Sequence, residues 1–209
     1  MLNDGIADDE VGREISDMSS TLKRGLFHLF GGLFIPVAAL LLPRVFLLIS
    51  IGVVTVIFLA FEMVRLRASI INRWFFLHFR PLLREEEASR LTGASYMLIA
   101  SLIAFLAFPR DIAVLALSFL AVGDPAATIV GRQMGKRGFL SKTLEGDLAC
   151  LIACLTIGLI FYYTGLNIPL LTIAAGSVGA TILQAIPLPV NDNLTMPLAA
   201  GVVMTVMLL

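Results

Sequence analysis

Seven apolar runs, near 26–42, 45–64, 94–108, 111–130, 148–164, 168–190 and 194–209, take up most of this 209-residue chain. With 58% hydrophobic residues, 14% charged residues and a mean hydropathy of +0.95, the chain is too apolar for a soluble domain, where about a quarter of residues carry charge. Backbone polar groups must be satisfied internally in lipid, so each run reads as a helix. A span needs about 17–25 residues, and the third and seventh runs are the shortest. The chain therefore reads as all-α, a polytopic membrane protein with about seven transmembrane helices. No basic face for a nucleic acid can be built from it.

Formal net charge is zero, but the basic residues are not evenly spread. With the N-terminus in the cytoplasm, the cytoplasmic segments hold Arg13, Lys23, Arg24, Arg65, Arg67, Arg73, Arg80, Arg84, Arg90, Arg132, Lys136, Arg137 and Lys142. The other side holds only Arg44 and Arg110. Thirteen against two follows the positive-inside rule and supports both orientation and helix parity.

Residues 1–20 carry six acids (Asp4, Asp8, Asp9, Glu10, Glu14, Asp17) and one arginine. They lack the basic start and early apolar core of a signal peptide, and read as a polar acidic tail, disordered or loosely helical. Residues 21–209 form one integral-membrane domain. Within it, about 66–90 mixes Ile70, Trp74, Phe75, Phe79, Leu82 and Leu83 with arginines, as an amphipathic helix at the cytoplasmic interface does, broken at Pro81. That segment is either an anchor or the lip of a lipid entrance. Glu62 and Arg65 are spaced for an interfacial salt bridge. Cys150 and Cys154, four apart, read as small buried hydrophobes on one helix face.

Ionisable residues at membrane depth are expensive and by default mark a functional site. The stretch Gly123-Asp124-Pro125 through Gly131-Arg132 contains one. Asp124 lies thirteen residues past Asp111, about 20 Å along the helix and in the cytoplasmic third. Asp followed by Pro suits an N-cap and first turn, so the helix is expected to break at Gly123 and restart at Pro125, offering N–H groups to a phosphate. Gly123, Ala127 and Gly131 also form a small-residue stripe for close packing. The next connection carries Gly135, Lys136, Arg137 and Gly138, then Lys142-Thr143-Leu144-Glu145-Gly146. Cations among glycines can hold a polyphosphate, and an acid beside them suits Mg²⁺. Asp192 and Asn193 fall on the same side, where Asn193 is also placed to cap the last helix. Asp124, Glu145 and Asp192 together read as a nucleotide–metal site. His28, after Lys23 and Arg24, lies on that side too and is a weaker candidate.

These residues resemble the CTP-dependent polyprenol kinase family, which includes dolichol kinase, phytol kinase and CTP-dependent diacylglycerol kinase. The pieces that carry the resemblance are Phe27-His28 with Gly31-Gly32, Leu91-Thr92-Gly93-Ala94-Ser95-Tyr96, Gly123-Asp124 to Gly131-Arg132 with Gly135-Lys136, Lys142-Thr143 with Glu145-Gly146, and Asp192-Asn193-Leu194-Thr195-Met196-Pro197. The resemblance implies transfer of the γ-phosphoryl of CTP to the hydroxyl of a membrane lipid alcohol at the cytoplasmic face, with Mg²⁺ as cofactor and the lipid tail between helices. It assigns catalysis to Asp124, Lys142, Glu145 and Asp192, with Asp124, Glu145 and Asp192 as metal partners. Nucleotide binding falls to Gly123, Gly131, Arg132, Gly135, Lys136, Thr143, Gly146 and Asn193, with Lys142 also holding phosphate.

A related block occurs in phosphatidate cytidylyltransferase, but that family also carries a basic, histidine-containing C-terminal block. This chain has no Lys or Arg after Lys142 and no His after His78. The clustered aspartates of CDP-alcohol phosphotransferases are missing as well. A small transporter or lipid-binding membrane protein without turnover is the reading from a different class; the paired broken helices of inverted-repeat transporters are not evident.

Overall fold

A computed structural model describes the backbone of residues 4–139 and 142–209, with side chains from Met18 onward except Phe139. The acidic side chains of the N-terminal tail lie outside the described residues. Among the described residues there are eight α-helices: α1 (Asp4–Leu41), α2 (Arg44–Arg67), α3 (Ser69–Phe79), α4 (Gly93–Ala107), α5 (Arg110–Met134), α6 (Leu144–Tyr163), α7 (Leu170–Ala185) and α8 (Asp192–Val206). Each apolar run of the sequence coincides with one long helix, and α3 is the additional short one. Two short strands, β1 (Gly138–Phe139) and β2 (Lys142–Thr143), pair antiparallel between α5 and α6.

Proline sets many of the boundaries. α2, α5 and α7 start directly after Pro43, Pro109 and Pro169, with φ of −58°, −52° and −59°. Proline's fixed φ suits entry into a helix, and its missing N–H costs nothing there. α7 stops at Ala185 because Ile186 precedes Pro187 and is extended, at ψ 129°. α3 likewise ends at Phe79, and Pro81 sits in a 3₁₀ turn (Arg80–Leu82) followed by a second one (Glu85–Ala88).

Four helices are long and apolar enough to cross a bilayer: the Met18–Leu41 part of α1, α2, α5 and α6. α4 and α7 are apolar but shorter, and α8 has only 15 residues, about 22 Å of helix. The expected seven full-length spans are thus present as seven long helices, of which four reach spanning length. The outer surface is apolar, with Phe30, Phe34, Val45, Val56, Ile57, Ile152, Leu171 and Val202 all exposed, as on a protein solvated by lipid.

Hydrogen bonds between helix ends define the two ends of the molecule. At one, Arg44 Nη2 donates to the Phe105 carbonyl at 3.0 Å and Arg110 Nη2 to that of Leu42 at 3.0 Å. These are the two arginines that the charge pattern separated from the rest. At the other, basic end, Arg132 Nη1 donates to Thr21 Oγ1 at 2.6 Å, and Asn193 Nδ2 to the Gly93 carbonyl at 3.0 Å. α3 and its two turns start and finish at that end, so they do not cross.

α5 is the central helix. It is buried without interruption from Ile112 to Ala121. One face meets α6 through small residues. A Cβ on Gly146 would lie 2.8 Å from the Ala127 carbonyl and 3.3 Å from Gly131 Cα, and one on Gly123 would lie 2.9 Å from Cys154 Sγ. The opposite face meets α1, where a Cβ on Gly32 would lie 2.7 Å from Ala121 Cβ and 3.1 Å from its Cα. The expected break at Gly123–Pro125 does not occur. α5 runs through Pro125 as one helix, because both faces are clamped and neighbouring helices hold a proline-containing turn in place.

Gly32→Ala should therefore push α1 off α5 and lower stability by about 1–3 kcal/mol. Gly52→Ala, where nothing lies within 4 Å, should leave stability unchanged or raise it by about 0.5–1 kcal/mol. Thermal unfolding of the two variants in detergent compares them directly.

Candidate functional site

The two-sided clamp on α5 decides where its carboxylate points. Gly123, Ala127 and Gly131 face α6, so Asp124 and Thr128 face the α1 side. There they line a cavity of about 650 Å³. The main stripe on its α1 wall is Arg24, His28, Gly31, Ile35 and Ala38, continued by Leu42 just past the helix, spaced four, three, four, three and four, with Thr21, Gly25, Phe27 and Phe34 beside it. α2 contributes Leu47, Ile51, Val54 and Phe58, α4 adds Ala94, Met97 and Leu98, and the α3 region adds Phe75, Phe79, Leu82 and Leu83. From Arg24 to Leu42 the stripe is about 27 Å long, close to the ~30 Å of a bilayer core. The walls are apolar along almost this whole length. Polar groups gather at the basic end: Thr21, Arg24, His28, Arg84, Glu87, Thr92, Asp124, Thr128 and Asn193.

Asp124 is 7% exposed, and its carboxylate has no hydrogen-bond or ion-pair partner among the described residues. The buried Nε2 of His28 has none either. Gly25 and Gly32 hold α1 against α5 on either side of His28, which brings these two unpartnered groups to the same end of the cavity. At Gly31 a Cβ would meet nothing within 4 Å, so this glycine keeps the cavity open.

The basic end is braced by a buried polar network. Glu62 and Arg65 are fully buried and paired, with Arg65 Nη2 2.8 Å from Glu62 Oε2 and Nε 3.2 Å from Oε1. The pair is deeper than the interfacial bridge its spacing alone implied. Arg65 also donates to Asn72 Oδ1 at 2.7 Å and to the carbonyls of Glu87 and Arg90 at 3.0 and 2.9 Å. Glu62 accepts from the Thr92 N–H at 3.1 Å. The Glu87 carboxylate takes the N–H groups of Arg84 and Gly93 at 2.9 and 2.6 Å. Apart from the Arg84 N–H, which is held within the turn, the polar groups named here tie the segment from Arg84 to Gly93 to α2, α3 or α4.

The remaining sequence candidates fall on the α6 side. Lys142 Nζ lies 2.8 Å from Asp192 Oδ2. With its amide oriented to suit its neighbours, Gln184 accepts from Lys142 at 3.0 Å and donates to Asp147 Oδ1 at 3.2 Å. Lys142, Asp147, Gln184 and Asp192 thus join β2, α6, α7 and α8. Thr143 is the N-cap of α6, its Oγ1 accepting from the Gly146 N–H at 3.2 Å. Glu145 accepts from the Arg137 N–H at 3.4 Å and so folds the 136–137 turn onto α6. Lys136 is exposed at the end of α5, and Gly135 ends that helix. Asn191, not Asn193, caps α8, accepting from the Asn193 N–H at 3.0 Å.

Two features of the geometry bear on those expectations. Asp124, Glu145 and Asp192 do not form one metal-sized group, since no cluster of three such ligands occurs among the described residues. The reason is the small-residue stripe, which turns Asp124 away from α6, while Lys142 neutralises Asp192. Gly123, Gly131 and Gly146 sit at close helix contacts. Sequence reasoning missed Arg24, Arg84, Glu87 and Asp147. Arg24 was legible as one helical turn before His28. Arg84 looked like any positive-inside arginine.

Comparisons with known proteins bear on this geometry. No family model and no solved structure matches the chain. An uncharacterized protein of Rickettsia prowazekii is 26% identical over 189 residues, covering 88% of this chain and 92% of its own length. Two relatives have named activities, and both are lipid kinases. A probable chloroplastic phytol kinase of Glycine max is 30% identical over 125 residues, 52% of this chain and 41% of its own length. A CTP-dependent diacylglycerol kinase of Schizosaccharomyces pombe is 28% identical over 136 residues, 58% of this chain and 62% of its own length. The similarity to these two kinases is distant and covers about half of this chain.

Glu62→Ala should leave the Arg65 guanidinium buried without its counter-charge and cost about 3–5 kcal/mol. A smaller loss is expected when both residues are replaced together by apolar ones of similar volume, as a double-mutant comparison of unfolding midpoints would show.

Proposed function

We propose that this protein is a membrane lipid kinase that transfers the γ-phosphoryl group of CTP to the hydroxyl of a lipid alcohol at the cytoplasmic face. The observation that carries this reading is the shape of the cavity: a bilayer-length apolar slot that ends at a buried, unpartnered carboxylate. A lipid chain fits the slot, and its hydroxyl end comes to Asp124. The distant lipid-kinase relatives and the excess of basic residues at that end support the same reading.

In the reaction, the hydroxyl oxygen bonds to the γ-phosphorus while the bond to the bridging oxygen breaks. CDP leaves with that electron pair, and the hydroxyl proton passes to a base. Phosphoryl transfer needs positioning and charge neutralisation above all. Asp124 orients the hydroxyl and accepts its proton, with His28 beside it in the wall. Mg²⁺ requires only one or two carboxylates when substrate phosphates complete its shell. Asp124 is the carboxylate at the cavity that remains uncommitted, since Glu87 is held by two backbone N–H groups. Bound there, the ion would neutralise charge on the nucleotide phosphates. Arg132 and Lys136 flank the same end and bind the nucleotide. Lys142, Glu145, Asp192 and Asn193 hold the helix ends that frame it.

Purified protein given labelled CTP or ATP with phytol, a polyprenol or diacylglycerol should form a lipid phosphate, with CTP the better donor. Asp124→Asn should lower turnover by about 10²-fold or more. Release of pyrophosphate with a CDP-lipid from phosphatidic acid would instead indicate a cytidylyltransferase. Gly31→Leu fills the slot without touching the reacting groups, so it should raise KM for the lipid far more than it lowers kcat.

A further inference from the structure

Three guanidinium groups from three separate elements surround the polar end of the cavity. Arg24, one turn before His28 on α1, and Arg84, between the two 3₁₀ turns, both line it. Arg132, two turns past Asp124 on α5, reaches its rim by donating to Thr21 Oγ1. Arg84 and Arg132 are both within electrostatic reach of Arg24 and repel it, while Asp124 and Glu87 attract it. Among the described residues, none of the three forms an ion pair.

Like charges do not gather at the edge of an apolar slot for packing. Scattered positive-inside arginines would also need no fixed backbone. Arg84 has one. Its N–H is held by Glu87, and the turn that follows is held by the buried Glu62–Arg65 pair. The network that braces this end therefore also presents a cation at the cavity mouth. Planar guanidinium groups are suited to phosphate oxygens, which they bind through paired hydrogen bonds.

We infer that Arg24, Arg84 and Arg132 form a phosphate-binding cluster at the cavity mouth, which holds the phosphate group directly over the end of the lipid slot. This rests on the kinase reading and adds Arg24 and Arg84 to it. The cluster neutralises the phosphate as it meets the acceptor hydroxyl. The same chemistry serves a nucleotide polyphosphate or the phosphate of the lipid product.

The test is binding, measured apart from turnover. Full-length protein in detergent is titrated calorimetrically with inorganic tripolyphosphate and, in a second arm, with short-chain phosphatidic acid. Arg24→Gln and Arg84→Gln should each weaken tripolyphosphate at least about tenfold, and Arg110→Gln, at the opposite end, should not. Loss confined to phosphatidic acid would still support the cluster and assign it to the lipid phosphate. Unchanged affinity for both probes would overturn it. Should a variant fail to fold, phenylglyoxal labelling of the wild-type protein decides. Tripolyphosphate or phosphatidic acid should protect Arg24 and Arg84, and no protection by either would overturn the inference. If the wild-type protein binds the probes but transfers no phosphoryl group, the kinase reading fails and the cluster stands.

Discussion

Helices in a bilayer gain little by burying one leucine against another, because lipid tails are equally apolar. What holds them is close approach of their backbones, and α5 is approached closely on both faces. Ala127 and Gly131 admit Gly146 of α6 on one side. Ala121 admits Gly32 of α1 on the other. With both faces fixed, the residues between them have no choice of direction. Asp124 is left facing the gap that α1 and α2 do not fill, and a helix containing Pro125 stays continuous.

The basic end is held by different physics. There the chain turns back through α3 and two 3₁₀ turns, and its backbone groups need partners away from water. Arg65 takes the carbonyls of Glu87 and Arg90, Glu87 the N–H groups of Arg84 and Gly93, and Glu62 the N–H of Thr92. A buried pair of this kind is weak evidence for stability, since desolvation offsets most of the attraction. Its value here is geometric. It fixes the position of the turn carrying Arg84, the start of α4 at Gly93 and, through Asn193, the start of α8. The polar end of the cavity is therefore braced, while its length is bounded by apolar side chains.

The helices were legible because hydropathy reports them directly: each apolar run became a long helix, and Arg44 and Arg110, which the charge pattern set apart from the other basic residues, fell together at one end. The Glu62–Arg65 pair was visible in its spacing. What the sequence hid was direction. Gly123, Asp124 and Pro125 look like a helix break when read locally, and only the packing of α1 and α6 shows why they are not. Asp124, Glu145 and Asp192 share one end of the molecule, and sharing an end is all that topology can predict. Which face each occupies depends on the glycine stripe and on Lys142. Arg24 and Arg84 were hidden for the converse reason: basic residues are common at such an end, and nothing local distinguishes one that lines a cavity.

The central claim is that the slot along α1 holds the lipid acceptor with its hydroxyl end at Asp124. Photo-crosslinking tests it most directly, using a lipid alcohol that carries a diazirine along its chain, with the labelled residues read by mass spectrometry. The account predicts label on the cavity stripe, at Ile35, Ala38 and Ile51, moving toward His28 as the diazirine is placed nearer the hydroxyl. Label spread over lipid-facing residues such as Leu171 and Val202, with no dependence on diazirine position, would contradict it.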